Sequence, residues 1–299
     1  MKTLHDLGEF GLIERFARQV TSGPGVVKGI GDDTAVIDTG AAEYLLMTTD
    51  MLVEGVHFLR TMMTAQEIGR KALACSISDI AAMGGTPTWA LVSLGAPSNI
   101  SAKLIEGIGS GINALAGEYG VSVVGGDTVR HGKIIINVAL LGTVAKEDVV
   151  FRGGARRGDV IFVTGTLGNS FHNRKHLHFI PRIREAHYAV KEARPTAMID
   201  ISDGLAGDLG HILDESGVGA VIDEAQIPLA KGASLDQALH DGEDFELLLT
   251  VPSSSADRLR RCRKFRFFEI GVITPGRDLM LRERSGKKRR VRPKGFQHF

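Results

Sequence analysis

Cysteine is scarce in this sequence of 299 residues, which contains only Cys75 and Cys262. The two cysteines form no CxxC pair, which argues against a disulfide framework or a cysteine zinc site and favours a reducing cytoplasm. No apolar run reaches about 18 residues, so no membrane span is expected. The N-terminal stretch MKTLHDLGEFGLIERF carries acids where a signal peptide needs an apolar segment.

Several catalytic motifs are also missing. The sequence has no GxxxxGK[ST] loop, no HRD and DFG pair and no GxSxG elbow. These absences exclude P-loop enzymes, protein kinases and hydrolases that use a nucleophile elbow. The segment most like GxGxxG, which is GSGINA at Gly109–Ala114, lies inside a helical pattern and does not follow a strand. A dinucleotide-binding fold is therefore rejected.

The sequence that is present indicates two domains of mixed α/β (α+β) class. The length gives about two domains as a soft prior, and 43% hydrophobic with 24% charged residues is typical of a globular protein. Apolar residues recur with helical and strand periods in both halves, with helices predicted over 65–83, 101–119, 179–193 and 205–216. The Gly/Arg-rich stretch 149–158 predicts a boundary, which gives domains 1–148 and 149–299.

Positive charge is concentrated near the C-terminus. From Arg258 to Lys294 there are 15 lysines and arginines but only three acids, although the whole chain has a net charge of +1. One interpretation is an anion-binding surface for nucleic acid. The other is a solvated face whose charges offset an acidic body, and we favour it because charged and apolar residues alternate in RLRRCRKFRFF. No nucleic-acid partner is therefore predicted.

Carboxylates recur beside apolar strands, where they are costly unless they are capped, paired or bound to metal. Each one alone is better explained as a helix cap or turn residue. Together they are harder to dismiss, because Lys28 and Lys71 are the only obvious lysine partners nearby. Oxygen ligands without histidine or cysteine indicate Mg²⁺, and several magnesium ions imply a polyphosphate such as ATP. The set includes Asp32, Asp33, Asp50, Asp79, Asp127, Asp200 and Asp203.

Two glycine turns and one arginine are candidates for phosphate binding. Gly125–Asp127 and Gly165–Gly168 follow predicted strands, where backbone N–H groups can reach phosphate oxygens. Arg152 lies in the interdomain turn FRGGARRGD, and an exposed loop charge is an equally good interpretation of it.

Three histidines lie close together in a polar stretch, at His172, His176 and His178. They suggest a zinc site, but no fourth ligand lies nearby. A solvated or functionally silent group of histidines is the favoured interpretation.

Ten segments together resemble the thiamine-monophosphate kinases, within the superfamily of aminoimidazole ribonucleotide synthetase. They occur in family order over nearly the whole chain: GEFGLIERF, GIGDDTAV, TTDMLVEGVHF, KALACSISDIAAMGG, VVGGDT, RGGARRGD, VTGTLGNS, DISDGLAGDLGHI, GEDFELLLT and KGFQHF. The resemblance implies a two-domain aminoimidazole ribonucleotide synthetase-like fold, with N-terminal domains that pair in a homodimer. It also implies ATP-dependent phosphorylation of thiamine monophosphate to thiamine diphosphate.

The resemblance also implies roles for individual residues. It assigns magnesium ligands, several ions in all, to Asp33, Thr48, Thr49, Asp50, Asp79, Asp127, Asp200 and Asp203. It assigns ATP contacts to Gly126, Asp127, Arg152 and Ser202, and substrate contacts to His57, Glu243 and Phe296. No general base is assigned, because the acceptor is a phosphate oxygen with a second pKa of about 6, already mostly ionised at neutral pH.

Other interpretations stay open. The nearest are other enzymes of the superfamily: aminoimidazole ribonucleotide synthetase, selenide water dikinase and the hydrogenase maturation dehydratase. A binding protein that uses its basic region on nucleic acid is a different class.

The sequence departs from the family pattern after TGTLGNS, where FHNRKHLHFIPRIREAH follows and the span 171–199 is shorter than usual.

Overall fold

The computed structural model describes residues 3–296, so that Met1, Lys2 and the final residues 297–299 of the KGFQHF motif lie outside the described residues. Eight helices are described: α1 (Leu4–Ala17), α2 (Ala65–Ala82), α3 (Ala102–Tyr119), α4 (Lys175–His178), α5 (Ile183–Ala193), α6 (Leu205–Ser216), α7 (Leu235–His240) and α8 (Ser253–Arg260). None of these helices has the length and apolar character that crossing a bilayer requires.

Thirteen strands within residues 3–296 form two sheets. They are β1 (Val26–Lys28), β2 (Ala35–Ile37), β3 (Glu43–Val53), β4 (Thr86–Ala96), β5 (Ser122–Arg130), β6 (Ile135–Ala145), β7 (Val160–Val163), β8 (Ala197–Asp200), β9 (Gly219–Asp223), β10 (Leu247–Val251), β11 (Phe268–Thr274), β12 (Leu279–Arg282) and β13 (Lys288–Arg290). The order in the first sheet is β1-β2-β3-β6-β4-β5, and in the second sheet β13-β12-β9-β11-β7-β10-β8.

The first sheet is built around a long antiparallel pair. β3 and β6 pair in continuous register from Glu43 opposite Ala145 to Val53 opposite Ile135. β6 alternates buried and half-buried residues along its length, which is the pattern of a strand with one covered face. β5 closes the sheet as an edge strand parallel to β4, and every residue of β5 is exposed.

Helix α2 is the central element of the molecule. It begins at a capping box in which Thr64 and Glu67 satisfy each other's backbone N–H groups. It contacts the first sheet through β3 and β6 and the second through β8. Because both faces are covered, α2 is buried nearly all round and includes the polar residues Lys71, Ser76 and Ser78. Buried polar groups on a helix between two sheets indicate a site.

The predicted elements agree with the structure where periodicity is strong. The helix predicted over 65–83 is observed at Ala65–Ala82, and the one predicted over 101–119 at Ala102–Tyr119. A helix predicted over 179–193 is shorter, because Pro181 precedes it and the observed helix begins at Ile183. The chain passes from the first sheet to the second between Ala145 and Val160, while the boundary between residues 148 and 149 stays a prediction.

Candidate active site

Three aspartates from distant parts of the chain meet between the two sheets. Asp33 lies in the loop between β1 and β2, Asp79 lies in α2, and Asp200 ends β8. One carboxylate oxygen from each lies within 4.8 Å of the other two. All three are predicted metal ligands, and the fold brings them into one group, which we call the acidic cluster.

Hydroxyl groups hold two members of the acidic cluster in place. Thr48 Oγ1 donates to Asp79 Oδ2 over 2.5 Å, and Ser78 Oγ donates to Asp200 Oδ2 over 2.6 Å. Such bonds to a carboxylate are stronger than bonds between neutral groups. These hydroxyl groups hold the carboxylates in position but carry no charge, so a cation is still needed to balance the negative charge of the cluster.

Strand alternation decides which β3 side chains reach the acidic cluster. Thr48 and Asp50 face α2, where Ser76 Oγ donates to Asp50 Oδ2 over 2.6 Å. Thr49 therefore faces the opposite side of the sheet, and its hydroxyl bonds Asn137 Oδ1 over 3.2 Å. The structure thus brings the Thr48 and Asp50 side chains to the acidic cluster, whereas Thr49 lies between them along β3 with its hydroxyl bonded to Asn137.

Crowding of negative charge shifts the protonation of these carboxyl groups. Burial, and after it the charge of Asp33, together raise the pKa of Asp200 to about 8. Burial also raises the pKa of Asp79 well above its ordinary value, with added repulsion from Asp50 and Asp200. The pKa of Asp50 is raised by burial as well. Like charges in a buried site act in this way, and the charge of Arg152 offsets only part of the effect on Asp200.

Arg152 binds one oxygen of Asp33 and leaves the other without a partner. Arg152 Nη2 lies 2.6 Å from Asp33 Oδ1. Asp33 Oδ2 is buried and accepts no hydrogen bond from residues 3–296. A buried carboxylate oxygen without a donor is expensive, and it is the donor that a hard cation such as Mg²⁺ prefers. The residues of the acidic cluster therefore fit a divalent metal.

Two cavities meet beside the acidic cluster. The first, of about 740 Å³, we call the Glu243 cavity; the second, of about 840 Å³, we call the Arg152 cavity. Thr49, Ser202 and Asp203 line both. The Arg152 cavity also includes Asp33 and Thr48, whereas the Glu243 cavity includes Asp50, His57, Lys71 and Phe296. This geometry suits two ligands whose ends approach each other at the shared residues.

The three predicted substrate residues line the Glu243 cavity together. His57 Nδ1 accepts a hydrogen bond from the Val53 N–H over 2.9 Å, so a neutral His57 carries its proton on Nε2. Lys71 Nζ donates to Glu243 Oε1 over 2.6 Å and to the His57 carbonyl oxygen over 3.0 Å. Phe296 is half exposed at the same cavity. The positive φ of Glu243, 54°, lies in the left-handed region, a strain typical of functional loops.

Asp203 belongs to a second group of titratable side chains. Asp203, Asp208 and His211 each offer one ligand atom, and these atoms lie within 4.8 Å of one another. Asp208 Oδ2 accepts from the Asp203 N–H over 3.1 Å. Sequence reasoning missed Asp208 and His211. Their signal was present, because a spacing of three on the predicted helix 205–216 places both on one face.

Asp127 and Gly126 are not brought to the acidic cluster. Four neighbouring strands of the first sheet, β3, β6, β4 and β5, place one residue each in register: Met51, Asn137, Ser93 and Asp127. Asp127 therefore shares a sheet face with Met51. Asp50, the neighbour of Met51 in β3, points to the other face. Asp127 instead lines a separate small cavity of about 160 Å³ with Ser93 and Asn137.

Comparison with known proteins identifies the family. The models described as AIR synthase related protein, N-terminal domain and C-terminal domain, match residues 31–144 and 156–282. Thiamine-monophosphate kinase of Buchnera aphidicola subsp. Acyrthosiphon pisum is 35% identical over 323 residues, covering 97% of this chain and 98% of that protein. The chain belongs to the thiamine-monophosphate kinase family. Thiamine-monophosphate kinase of Aquifex aeolicus is 36% identical over 327 residues, covering 99% of both proteins.

A solved structure agrees with this membership of the thiamine-monophosphate kinase family. AaThiL complexed with AMPPCP and TMP superposes with a TM-score of 0.88 at 35% identity, covering 100% of this chain and 99% of that one. The resemblance and the two-domain α/β fold predicted from sequence are thereby confirmed.

The glycine turn Gly165–Gly168 has a different use from the phosphate binding that its sequence suggested. The Gly168 N–H donates to Asp244 Oδ2 over 2.8 Å, and a Cβ at Gly165 would collide with the Glu246 carboxylate. The turn wraps carboxylates of its own chain and lines neither cavity. In this member of the thiamine-monophosphate kinase family it supports the fold beside the site.

The three clustered histidines have separate surroundings. His172 lines the Glu243 cavity, His178 Nε2 lies 3.1 Å from Glu67 Oε1, and His176 is only 2% exposed. The expectation of a solvated or functionally silent group is therefore wrong for His176 in its first part, because the ring is buried and stacks on Phe171.

The basic region contains many local ion pairs. Arg260 pairs with Asp257 and Glu269, and Arg290 lies 2.8 Å from Asp278. Such pairs occupy the charges with neighbouring carboxylates, which is how a solvated face behaves. The arrangement favours the interpretation of this region as a charged surface of a thiamine-monophosphate kinase family member.

Proposed function

We propose that the protein transfers the γ-phosphoryl group of ATP to thiamine monophosphate and releases thiamine diphosphate and ADP. The observation that carries the proposal is the junction of two cavities at Thr49, Ser202 and Asp203, beside the acidic cluster. One cavity suits a nucleotide and the other a phosphorylated aromatic acceptor. Relatives that bear the name thiamine-monophosphate kinase, over nearly the whole of both chains, support this choice.

The Arg152 cavity is assigned to ATP. Arg152 brings a guanidinium to the cavity while it stays paired to Asp33, and Ser202 lies where the cavities meet. Asp33, Thr48, Asp50, Asp79 and Asp200 are the proposed magnesium ligands near the phosphates, with Asp203 and Thr49 at the junction. Bound Mg²⁺ would neutralise the phosphate oxygens of both reactants and allow two polyanions to approach.

The Glu243 cavity is assigned to the acceptor. With its proton on Nε2, His57 can donate to an oxygen of the acceptor phosphate. Glu243 presents a carboxylate to the amino group of the pyrimidine or to the cationic thiazolium, and Phe296 offers a stacking face. Lys71 fixes both sides of this arrangement, because it bonds Glu243 and the backbone of His57.

The transfer is proposed to be direct. An oxygen of the acceptor phosphate attacks the γ-phosphorus, a new P–O bond forms, and the bond to the bridging oxygen of ADP breaks. No general base is needed, because a phosphate with a second pKa of about 6 is largely ionised at pH 7. Rapid-quench experiments with ATP labelled in the γ-phosphate are expected to show no phosphorylated protein on the timescale of turnover. A kinetically competent phospho-protein would contradict direct transfer.

We further propose a cytoplasmic homodimer of two-domain chains, divided at residues 148 and 149, in which the N-terminal domains pair. The support is the edge strand β5, where Val124 and Val129 are exposed, beside exposed Trp89 and Leu91 of β4. An unpaired, apolar edge strand is a liability unless another surface covers it. In such a dimer Gly126 and Asp127, proposed as ATP and metal contacts, would lie at the interface.

The test is an activity assay of the full-length protein. Thiamine monophosphate, ATP and MgCl₂ are incubated with the protein, and thiamine diphosphate and ADP are measured chromatographically. Equal formation of both products, dependent on the acceptor, is expected. Parallel reactions with selenide and with the aminoimidazole ribonucleotide synthetase substrate test the rival enzymes. Turnover of either, without turnover of thiamine monophosphate, would contradict the proposal.

A further inference from the structure

The segment after TGTLGNS, where the sequence departs from the family pattern, supplies part of the Glu243 cavity. Phe171 lines this cavity although its side chain is apolar and 48% exposed. Its ring stacks on the ring of His176, with 4.9 Å between ring centroids and 19° between the ring planes. One face of Phe171 is thus covered from behind, and the exposed remainder meets the cavity.

His176 holds this stacked pair in a fixed place. His176 is 2% exposed, and its Nδ1 lies 3.0 Å from the Ser170 carbonyl oxygen. Ser170 Oγ in turn donates to the Glu243 carbonyl oxygen over 2.6 Å. The position of the Phe171 ring is therefore linked through two hydrogen bonds to the residue that carries the cavity's carboxylate.

The His176 ring is suited to an uncharged supporting role. Burial lowers its pKa, so the imidazole is neutral at pH 7. A neutral imidazole that approaches a carbonyl oxygen through Nδ1 donates a hydrogen bond there. Its Nε2 is buried and has no hydrogen-bond partner in the described part of the chain. The ring makes one hydrogen bond, to the Ser170 carbonyl oxygen, and stacks on Phe171. These two contacts suit it to support the Phe171 ring from the interior side.

We propose that Phe171, backed by His176, is a stacking wall for the aromatic ring of the phosphate acceptor. This inference rests on the proposed function and adds a subsite to it. Two exposed phenylalanines, Phe171 and Phe296, line one cavity that also contains the Glu243 carboxylate. Flat apolar faces beside a carboxylate match a planar, cationic or amino-bearing heterocycle. Neither phenylalanine lines the Arg152 cavity, so the nucleotide base is not the ring concerned.

The test compares ligands that share the ring system but differ in the phosphate. Thiamine monophosphate, thiamine and a non-hydrolysable ATP analogue are titrated calorimetrically, with Mg²⁺ present, into the wild-type protein and into Phe171→Ala, Phe171→Tyr and Ile180→Ala. Ile180 is the matched control, because it is an exposed apolar residue of the same segment, 59% exposed, and it does not line the cavity. Thermal unfolding of each variant reports its folded state.

Phe171→Ala is expected to lower the affinity for thiamine monophosphate and the affinity for thiamine by the same factor, about tenfold. The affinities of Phe171→Tyr and Ile180→Ala for both thiamine compounds are expected to stay within about twofold of wild type, because the first keeps an aromatic ring and the second lies outside the cavity. The affinity of every variant for the ATP analogue is expected to stay within the same limit. Unchanged binding by Phe171→Ala, or an equal loss with Ile180→Ala or for the ATP analogue, would overturn the wall alone. Wild-type protein that binds neither thiamine compound would overturn the proposed function and the wall with it.

Discussion

Lys71 Nζ lies 2.6 Å from Glu243 Oε1 and joins the central helix to a loop of the second half of the chain. Lys71 is 1% exposed, and it also donates to the His57 carbonyl oxygen. A buried ammonium is tolerated only while its partners remain, so removal of either partner leaves a charge without compensation. The pair therefore serves stability and the geometry of the Glu243 cavity at once, and substitutions can separate the two.

Glu243→Ala is expected to raise KM for thiamine monophosphate about tenfold and to lower the free energy of unfolding by about 2 kcal/mol, because Lys71 loses its partner. Glu243 is partly exposed, which keeps the loss below that of a fully buried pair. The double variant Lys71→Met/Glu243→Gln is expected to recover the stability but to keep the raised KM. Steady-state kinetics and urea unfolding measure both quantities. Lys146→Met, which breaks the half-exposed pair with Asp38, is the control; an unchanged KM in Glu243→Ala would contradict the assignment.

Asp79→Asn is expected to abolish turnover and to raise the melting temperature of the metal-free protein by several degrees. The reason is that Asp79 lies among like charges, and its pKa is raised well above the ordinary value by burial and by Asp50 and Asp200. The folded metal-free protein must either protonate Asp79 or hold a repelled charge there, and asparagine avoids both costs. Differential scanning fluorimetry in EDTA measures the shift, with Asp278→Asn on the exposed surface as control. A lower melting temperature would mean that the cluster is not strained without metal.

The stabilisation that Mg²⁺ gives is expected to grow with pH. Burial raises the pKa of Asp200 to about 8, so between pH 4 and pH 8 the folded metal-free protein holds a proton that the unfolded chain has lost. The free energy of unfolding therefore falls as pH rises through this window, by at most about 1.4 kcal/mol per pH unit for one proton. Mg²⁺ replaces that proton and removes the loss. Melting temperatures with Mg²⁺ and with EDTA, from pH 6 to pH 8.5, measure the difference; a constant difference would contradict this account.

Sequence reasoning succeeded where a local pattern dictates the outcome. Aspartates beside apolar strands predicted a cluster, and Asp33, Asp79 and Asp200 form one. Carboxylates beside buried elements are costly unless they are paired or bound to metal, so they tend to be grouped. The same reasoning is blind to partners far along the chain. Nothing near Lys71 in the sequence predicts its pairing with Glu243, which lies 172 residues away.

Alternation along a strand also went unused in assigning ligands. The side chains of three consecutive residues in a strand, here Thr48, Thr49 and Asp50, cannot all lie on the same face of the sheet. The sequence alone therefore predicts that the Thr49 hydroxyl lies on the face opposite to Thr48 and Asp50. Asp127 required more than alternation, since its distance from Asp50 depends on the order of four strands in the sheet.

Asp127 is expected to act in the site of a partner chain. In one chain Asp127 and Asp50 lie three strands apart on opposite faces of the first sheet, so they cannot bind the same metal ion. Asp50→Ala and Asp127→Ala are each expected to be inactive. When the two variants are co-expressed, half of the dimers are mixed, and one of the two sites in each mixed dimer has both aspartates intact. About a quarter of wild-type activity should return. The activity of each variant expressed alone is the control. Mixed dimers isolated with two affinity tags that stay inactive would mean that Asp127 has no role across an interface.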